Sequence, residues 1–265
     1  MEHETQIPGE KILLHCRNLT KKFGTLAAVN DLTFSINVGQ ILGIGGPNGA
    51  GKTALFDAIS GVNPCTSGEI IFDGIRIDRM SSDRICHLGL SRTFQMNSCF
   101  NSLTVKENIC INRYFGQKNR SIPSVRFDRS TYEAVDEIID LVGLRDYANI
   151  KVLNLPVFQR KLLMIGAALA TEPKLLMLDE PVGGLIQTEI DIVRELLVRI
   201  ARRNITLIVI EHVMRFIIQL CDSVMILHRG NQLFRGLPKE LLASKEVIEV
   251  YLGEKTSKSL LHKIG

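Results

Sequence analysis

Gly46-Pro47-Asn48-Gly49-Ala50-Gly51-Lys52-Thr53 is the stretch on which the fold turns. It fits the pattern G-x-x-x-x-G-K-[ST], and each residue type in that pattern has a task. Glycines let the backbone turn tightly, so that successive N–H groups point inward at phosphate oxygens. A helix starting at the end of the run adds the positive end of its dipole. Lys52 is placed to reach the β- and γ-phosphates of a nucleotide, and the Thr53 hydroxyl to ligate Mg²⁺. The flanks supply the context this reading requires. Gln40 to Gly45 is an apolar strand, and Leu55, Ile59 and Val62 recur at helical spacing. Strand, glycine loop and helix together favour a phosphate-binding loop over a glycine-rich turn without a ligand.

Working outward, the strands fall at about Lys11–Cys16, Leu32–Asn37, Gln40–Gly45 and Glu69–Ile77. Later ones fall near Lys174–Asp179, Ile205–Glu211, Ser223–His228 and Gln232–Gly236. From about Val105 to Leu169 the apolar spacing is mostly helical, as in Ala134, Val135, Ile138, Ile139 and Val142. A loop with Gly116, Pro123 and several basic residues interrupts that run. Two short helices are predicted near Lys239–Ala243 and Lys245–Leu252, with Ser244 as the N-cap of the second. The tail after Gly253 is polar.

A second apolar strand, Leu175 to Asp179, ends in the carboxylates Asp179 and Glu180. A strand-terminal Asp-Glu on its own also fits an ordinary acidic loop start. Paired with the upstream loop it fits a nucleotide site, Asp179 holding the metal directly or through water and Glu180 polarising the attacking water. The strand Thr206 to Glu211 delivers His212, which lies near the γ-phosphate if that strand neighbours the Asp179 strand. By itself a lone His there reads as structural. Gln95, in Ser91-Arg92-Thr93-Phe94-Gln95, stands where core gives way to helices and suits Mg²⁺ or the lytic water; on spacing alone it is a surface residue.

Composition narrows the class. The 265 residues are 45% hydrophobic, with a net charge of +4. The mean hydropathy is +0.13 and the pI about 8.7. No apolar stretch reaches the roughly 18 residues of a membrane span. The longest candidate, Ile205 to Leu220, is broken by Glu211, His212 and Arg215. The first six residues are acidic and polar, so no secretory signal is expected. The mild charge gives no reason to expect nucleic-acid binding. Cys16, Cys65, Cys86, Cys99, Cys110 and Cys221 include no C-x-x-C pair and read as reduced, mostly buried small hydrophobes.

Over nearly its whole length the chain resembles an ABC-transporter ATPase subunit. The resemblance rests on the order of residues 46–53, Gln95, a helical stretch, Asp179-Glu180 and His212. It implies an α/β fold: a P-loop NTPase (RecA-like) core with an antiparallel β part and an inserted α-helical subdomain. One ABC ATPase domain over 1–265 follows, with the α/β core at about 10–95 and 170–236. The helical subdomain then covers about 96–169, and C-terminal helices and tail 237–265. The implied cofactors are ATP and Mg²⁺. Nucleotide contacts fall on Phe23, Gly46, Pro47, Asn48, Gly49, Ala50, Gly51, Lys52, Thr53 and Ala54, with Phe23 matching the family's adenine-stacking aromatic. Metal contacts fall on Thr53, Gln95 and Asp179, and Glu180, His212 and Gln95 carry hydrolysis. Arg92-Thr93-Phe94-Gln95, Leu103 to Asn108, Ile210-Glu211-His212 and Tyr251-Leu252-Gly253 resemble the subunits of branched-chain amino-acid importers; urea and amide importers are close relatives. The implied partners are a second ABC ATPase subunit, as a heterodimer, and transmembrane permease subunits at the cytoplasmic face of the membrane. A non-hydrolysing, nucleotide-binding regulatory subunit is the rival reading. A DNA-repair or translation ATPase is disfavoured, because neither a long coiled-coil insertion nor a tandem domain is present.

Three positions depart from the family pattern. Where it places L-S-x-G-Q, this chain has Leu155-Pro156-Val157-Phe158-Gln159. Pro156 lacks a hydroxyl and a backbone donor, and Phe158 fills the place of a glycine. Packing of the helix start by these residues is compatible with that loss. Ala54 stands for a second Ser or Thr, and Ile186 for a polar Asp or Asn.

Overall fold

The computed structural model describes residues 11–93, 99–116, 127–241 and 243–252. Two sheets make the β framework. β1 (Ile12–Phe23), β2 (Leu26–Asn37), β4 (Ser67–Phe72) and β5 (Ile75–Arg76) form an antiparallel sheet in the order β2-β1-β4-β5. β3 (Ile41–Gly45), β6 (Leu90–Arg92), β7 (Leu175–Asp179), β8 (Thr206–Ile210), β9 (Ser223–His228) and β10 (Asn231–Gly236) form the second, in the order β10-β9-β3-β8-β7-β6. Its pairings are parallel except for the antiparallel edge pair β9–β10.

Burial on both faces explains why the central strands read as unbroken apolar runs. Along β8, Leu207 and Val209 face one core while Ile208 and Ile210 face the other. Along β7, Leu176 and Leu178 alternate in the same way with Leu175 and Met177. One core holds the antiparallel sheet and α1 (Lys52–Ile59), through Phe34, Phe72, Leu55 and Phe56. The other holds α5 (Val157–Leu169), α6 (Gln187–Ala201) and α7 (Met214–Leu220). The helical stretch lies between β6 and β7, where α3 (Val105–Gly116) and α4 (Arg129–Val142) pack with α5. Asp128 caps α4, its carboxylate accepting the Thr131 N–H at 2.8 Å, and Gly143 ends it at φ 74°.

Several boundaries differ from the sequence expectation. β1 continues to Phe23 and β2 starts at Leu26, because bulges break the alternation that the period-2 reading follows. Asn18 and Asp31 sit at φ 47° and 50° and bond to each other at 2.9 Å. The single strand expected over Glu69–Ile77 is a hairpin turning at Asp73-Gly74, a dipeptide suited to left-handed backbone. α1 ends at Ile59, leaving Val62 exposed beyond it. α2 (Ser82–His87), β6, α6 and α7 are additional elements. α8 (Pro238–Leu241) and α9 (Lys245–Leu252) close the described chain, the Ser244 hydroxyl accepting the Val247 N–H. The 116–123 loop lies largely outside the described residues, and the tail after Gly253 entirely so. The six cysteines are free thiols. Among the described residues no helix is long and apolar enough to cross a membrane.

Candidate functional site

β3 delivers the chain to the carboxyl edge of the parallel sheet, where open α/β sheets place their ligands. Residues 46–51 loop over that edge before α1 begins at Lys52. Glycine is required at both ends of the loop. A Cβ on Gly46 (φ 143°) would lie 2.2 Å from the Leu227 carbonyl oxygen, and one on Gly51 (φ 104°) 2.0 Å from that of Ala28. β2 and the turn after β9 therefore back the loop directly, and the Gly230 N–H donates to the Ala50 carbonyl at 3.0 Å. The buried Lys52 ammonium donates to the carbonyls of Gly46 at 2.8 Å and Pro47 at 3.0 Å, which bends the side chain over the loop. Burial lowers its pKa, while the charges of Glu180 and Asp179 oppose that shift. Asn48, Gly49 and Thr53 are exposed.

The second half of the site comes from the paired strands β7 and β8, in register at Asp179 and Ile210. Glu180 follows Asp179 in left-handed conformation (φ 50°), its N–H donating to the Ile210 carbonyl at 2.9 Å. Its carboxylate Oε1 lies 2.8 Å from His212 Nε2. With Glu180 ionised, Nε2 carries the proton and donates. The neighbouring-strand condition attached to His212 is thus met. Asp179 is bound from β6: its N–H donates to Thr93 Oγ1 at 3.2 Å, and Arg92 donates to its Oδ2 at 3.1 Å. The same guanidinium reaches Asp57 of α1 at 2.6 Å and lies 5.3 Å over the Phe56 ring.

Phe23 is 49% exposed at the end of β1, its ring 5.1 Å from the Lys21 ammonium. Lys21 is itself anchored to Asn63 and to the Pro64 carbonyl. Gln95 lies outside the described residues. Sequence reasoning gives no task to Arg92 or Glu211. Glu211 is a charge at the end of the apolar strand β8, and a charge at a buried strand end is the signal that could have found it; Arg92 ends the short strand Leu90-Ser91-Arg92 and carries no such signal. A Mg²⁺ ion suits the donor set. Thr53 and Asp179 offer hard oxygen ligands, and among the described residues no group of three or more His, Cys, Asp or Glu could hold a metal. An ion here would take its remaining ligands from nucleotide phosphates and water.

This geometry meets its match in known proteins. The family model described as ABC transporter covers residues 29–183, more than half of the chain. The chain belongs to the ABC transporter family. It is a nucleotide-binding ATPase subunit of that family. The high-affinity branched-chain amino acid transport ATP-binding protein BraF of Pseudomonas aeruginosa is 32% identical over 250 residues, covering 91% of this chain and 98% of that protein. Escherichia coli LivG, of the same description, is 31% identical over the same span. A nucleotide-free ATP-binding cassette from an ABC transporter superposes with a TM-score of 0.84 at 26% identity, over 92% of this chain and all of that one. The ADP conformation of such a cassette matches with the same TM-score and identity.

The departures from the ABC pattern have definite places. Pro156 is the N-cap of α5 and Ile186 the N-cap of α6, positions at which a Ser or Asp side chain would accept a first-turn N–H. Neither residue carries a side-chain acceptor. Val157 and Ile186 are 45% and 66% exposed, whereas Phe158 packs half-buried against the helical core. Phe158 therefore serves the packing of α5.

Proposed function

We propose that this chain is the ATP-binding and hydrolysing subunit of an importer for branched-chain amino acids or related small solutes. It works at the cytoplasmic face of the membrane, docked on permease subunits. The names of the relatives favour the solute class, since BraF and LivG are branched-chain amino acid transport proteins. Residues 1–265 act as one ABC ATPase domain, with 96–169 as its helical subdomain.

The observation that carries hydrolysis is the 2.8 Å contact between Glu180 and His212 at the sheet edge beside the phosphate loop. The N–H groups of the loop and of the α1 start hold the phosphates, and Lys52 exchanges its two carbonyl partners for β- and γ-oxygens. Phe23 stacks on the base. Thr53, Asp179 and Gln95 hold Mg²⁺, which when bound neutralises charge developing on the phosphates. Glu180 orients and deprotonates the attacking water, and His212 holds the carboxylate and contacts the γ-phosphate.

The partner is a second ATPase chain with an intact L-S-x-G-Q-type segment. Pro156 offers neither a hydroxyl nor a backbone donor, and the Phe158 side chain blocks the close approach that a glycine allows a facing γ-phosphate, so a site completed by this segment is nearly silent. Loss of one such donor costs about 10²–10³ in rate. This chain's own phosphate loop retains Lys52 and Thr53, lacks only the hydroxyl that Ala54 replaces, and is completed by the partner. Glu180→Gln in the assembled transporter is expected to keep MgATP binding and to slow hydrolysis by about 10²-fold or more. A parental rate would place the base elsewhere.

A further inference from the structure

Lys161 is a buried lysine, 9% exposed, in the second turn of α5. Lysine is almost never so buried without a partner. Its ammonium donates to the main-chain oxygen of Glu180 at 2.6 Å. That carbonyl belongs to a residue held in left-handed backbone, a conformation that persists only when its surroundings over-determine it. Residue 180 is gripped from three directions. β8 takes its N–H, His212 its carboxylate, and α5 its carbonyl at 2.6 Å, which also accepts the Gly183 N–H at a longer 3.3 Å.

A second buried charge completes the frame. Glu211 is 1% exposed, its Oε1 accepting the Val182 N–H at 2.7 Å and its Oε2 the His212 N–H at 3.0 Å. One carboxylate thus joins the turn after Glu180 to the residue that carries the imidazole. Burial lowers the Lys161 pKa and raises that of Glu211, and the attraction between their charges opposes both shifts. Buried charges of this kind are a weak source of stability, because apolar residues of similar volume often serve as well. Orientation is the use that fits their contacts.

We propose that Lys161 and Glu211 are positioning residues that set Glu180 against His212, and that Lys161 makes this chain's catalytic base respond to the placement of its own signature helix, α5. A hydrogen bond of 2.6 Å does not survive stretching beyond about 3.5 Å. A shift of α5 by about 1 Å therefore withdraws the ammonium and leaves the Glu180 carbonyl only the longer contact from the Gly183 N–H at 3.3 Å, which loosens its backbone. The inference rests on Glu180 being the base.

The test uses the assembled transporter, purified with its partner ATPase and permease subunits, turning over MgATP. Lys161→Met keeps most of the apolar stem and removes the ammonium. It is expected to lower kcat by about 10- to 100-fold, the cost of a misplacement near 1 Å. KM for ATP, and calorimetric MgATP affinity of the isolated full chain, stay within about twofold of the parent. Lys161→Arg restores most of kcat, because a guanidinium can donate to the same carbonyl. Glu211→Gln is nearly isosteric but offers one carbonyl oxygen to two N–H groups, so it lowers kcat with KM unchanged. It also serves if Lys161→Met does not fold. Glu180→Gln in the same assay separates two failures. A parental rate there overturns the base assignment, whereas a slow Glu180→Gln beside parental kcat in Lys161→Met or Glu211→Gln overturns the positioning role alone. Loss of kcat with a matching rise in KM, or failure of Lys161→Arg to restore it, also overturns that role.

Discussion

Replacing Arg92 by Leu removes a guanidinium that bridges α1, β6 and β7. Its side chain is 6% exposed, against 9% for Asp179 and 24% for Asp57. Deleting one partner of a buried ion pair costs about 3–5 kcal/mol, because the other charge stays buried and uncompensated. Asp57 is exposed enough for water to take over part of the lost contact, so most of the penalty falls on Asp179 and the total is set at about 2–4 kcal/mol. Leucine retains apolar contact with Phe56, which keeps the change mainly electrostatic. In a chain of this size each kcal/mol moves Tm by about 2–4 °C, giving a drop of about 5–15 °C. Thermal melting of parent and variant measures it. Saturating MgATP is expected to narrow the gap, because a bound cation beside Asp179 takes over the compensation. A Tm within about 2 °C of the parent would refute the reasoning, and an unchanged gap with MgATP would refute its metal-site half.

Lys52→Ala should weaken MgATP binding by about 10- to 100-fold, the worth of a charge-assisted hydrogen bond to phosphate, and calorimetry finding unchanged affinity would remove Lys52 from the phosphate site. Asp73→Asn tests a charge cluster far from the chemistry: Lys11 and Lys174, each at 2.6 Å, hold the Asp73 carboxyl down at about 2. A depressed carboxyl stabilises the fold above its ordinary value near 3.8 and loses that contribution as pH falls toward about 2. Asparagine suits the φ of 46° at this turn, so the stability gap between parent and variant should be present at pH 7, small, and closed by about pH 2. A gap independent of pH across denaturant titrations would contradict the assignment.

The phosphate loop is legible in the sequence because its chemistry is local, with glycines, Lys52 and the apolar flanks lying within about twenty residues. Asp179, Glu180 and His212 are legible for a related reason, since each follows an apolar strand and a buried parallel sheet aligns such ends. Arg92 is not. Its partners Asp57 and Asp179 lie 35 and 87 residues away, and only the pairing of β6 with β7 and the packing of α1 bring them together. The start of α6 keeps only half of a capping box: Ile186 offers the first turn no acceptor, while the Glu189 carboxylate accepts the Ile186 N–H at 3.1 Å. The turn at Asp73-Gly74 is readable from its dipeptide, but the apolar residues on both sides, Ile70-Ile71-Phe72 and Ile75, let the segment read as one strand. Phe158 reads in the sequence as an obstruction, and its packing against the helical core supplies a compensating reason for its presence.

Steady-state MgATP turnover by the isolated full chain, beside the double variant Pro156→Ser with Phe158→Gly, tests the central claim most directly. Both proteins are first shown to bind MgATP by calorimetry and to melt cooperatively. The parent is expected to bind nucleotide yet turn it over poorly. The double variant, with a hydroxyl and a backbone donor returned at position 156 and the obstructing side chain removed at 158, turns over at least about tenfold faster. Brisk hydrolysis by the isolated parent, or no gain in the double variant, would contradict the claim that this chain needs a partner's signature segment.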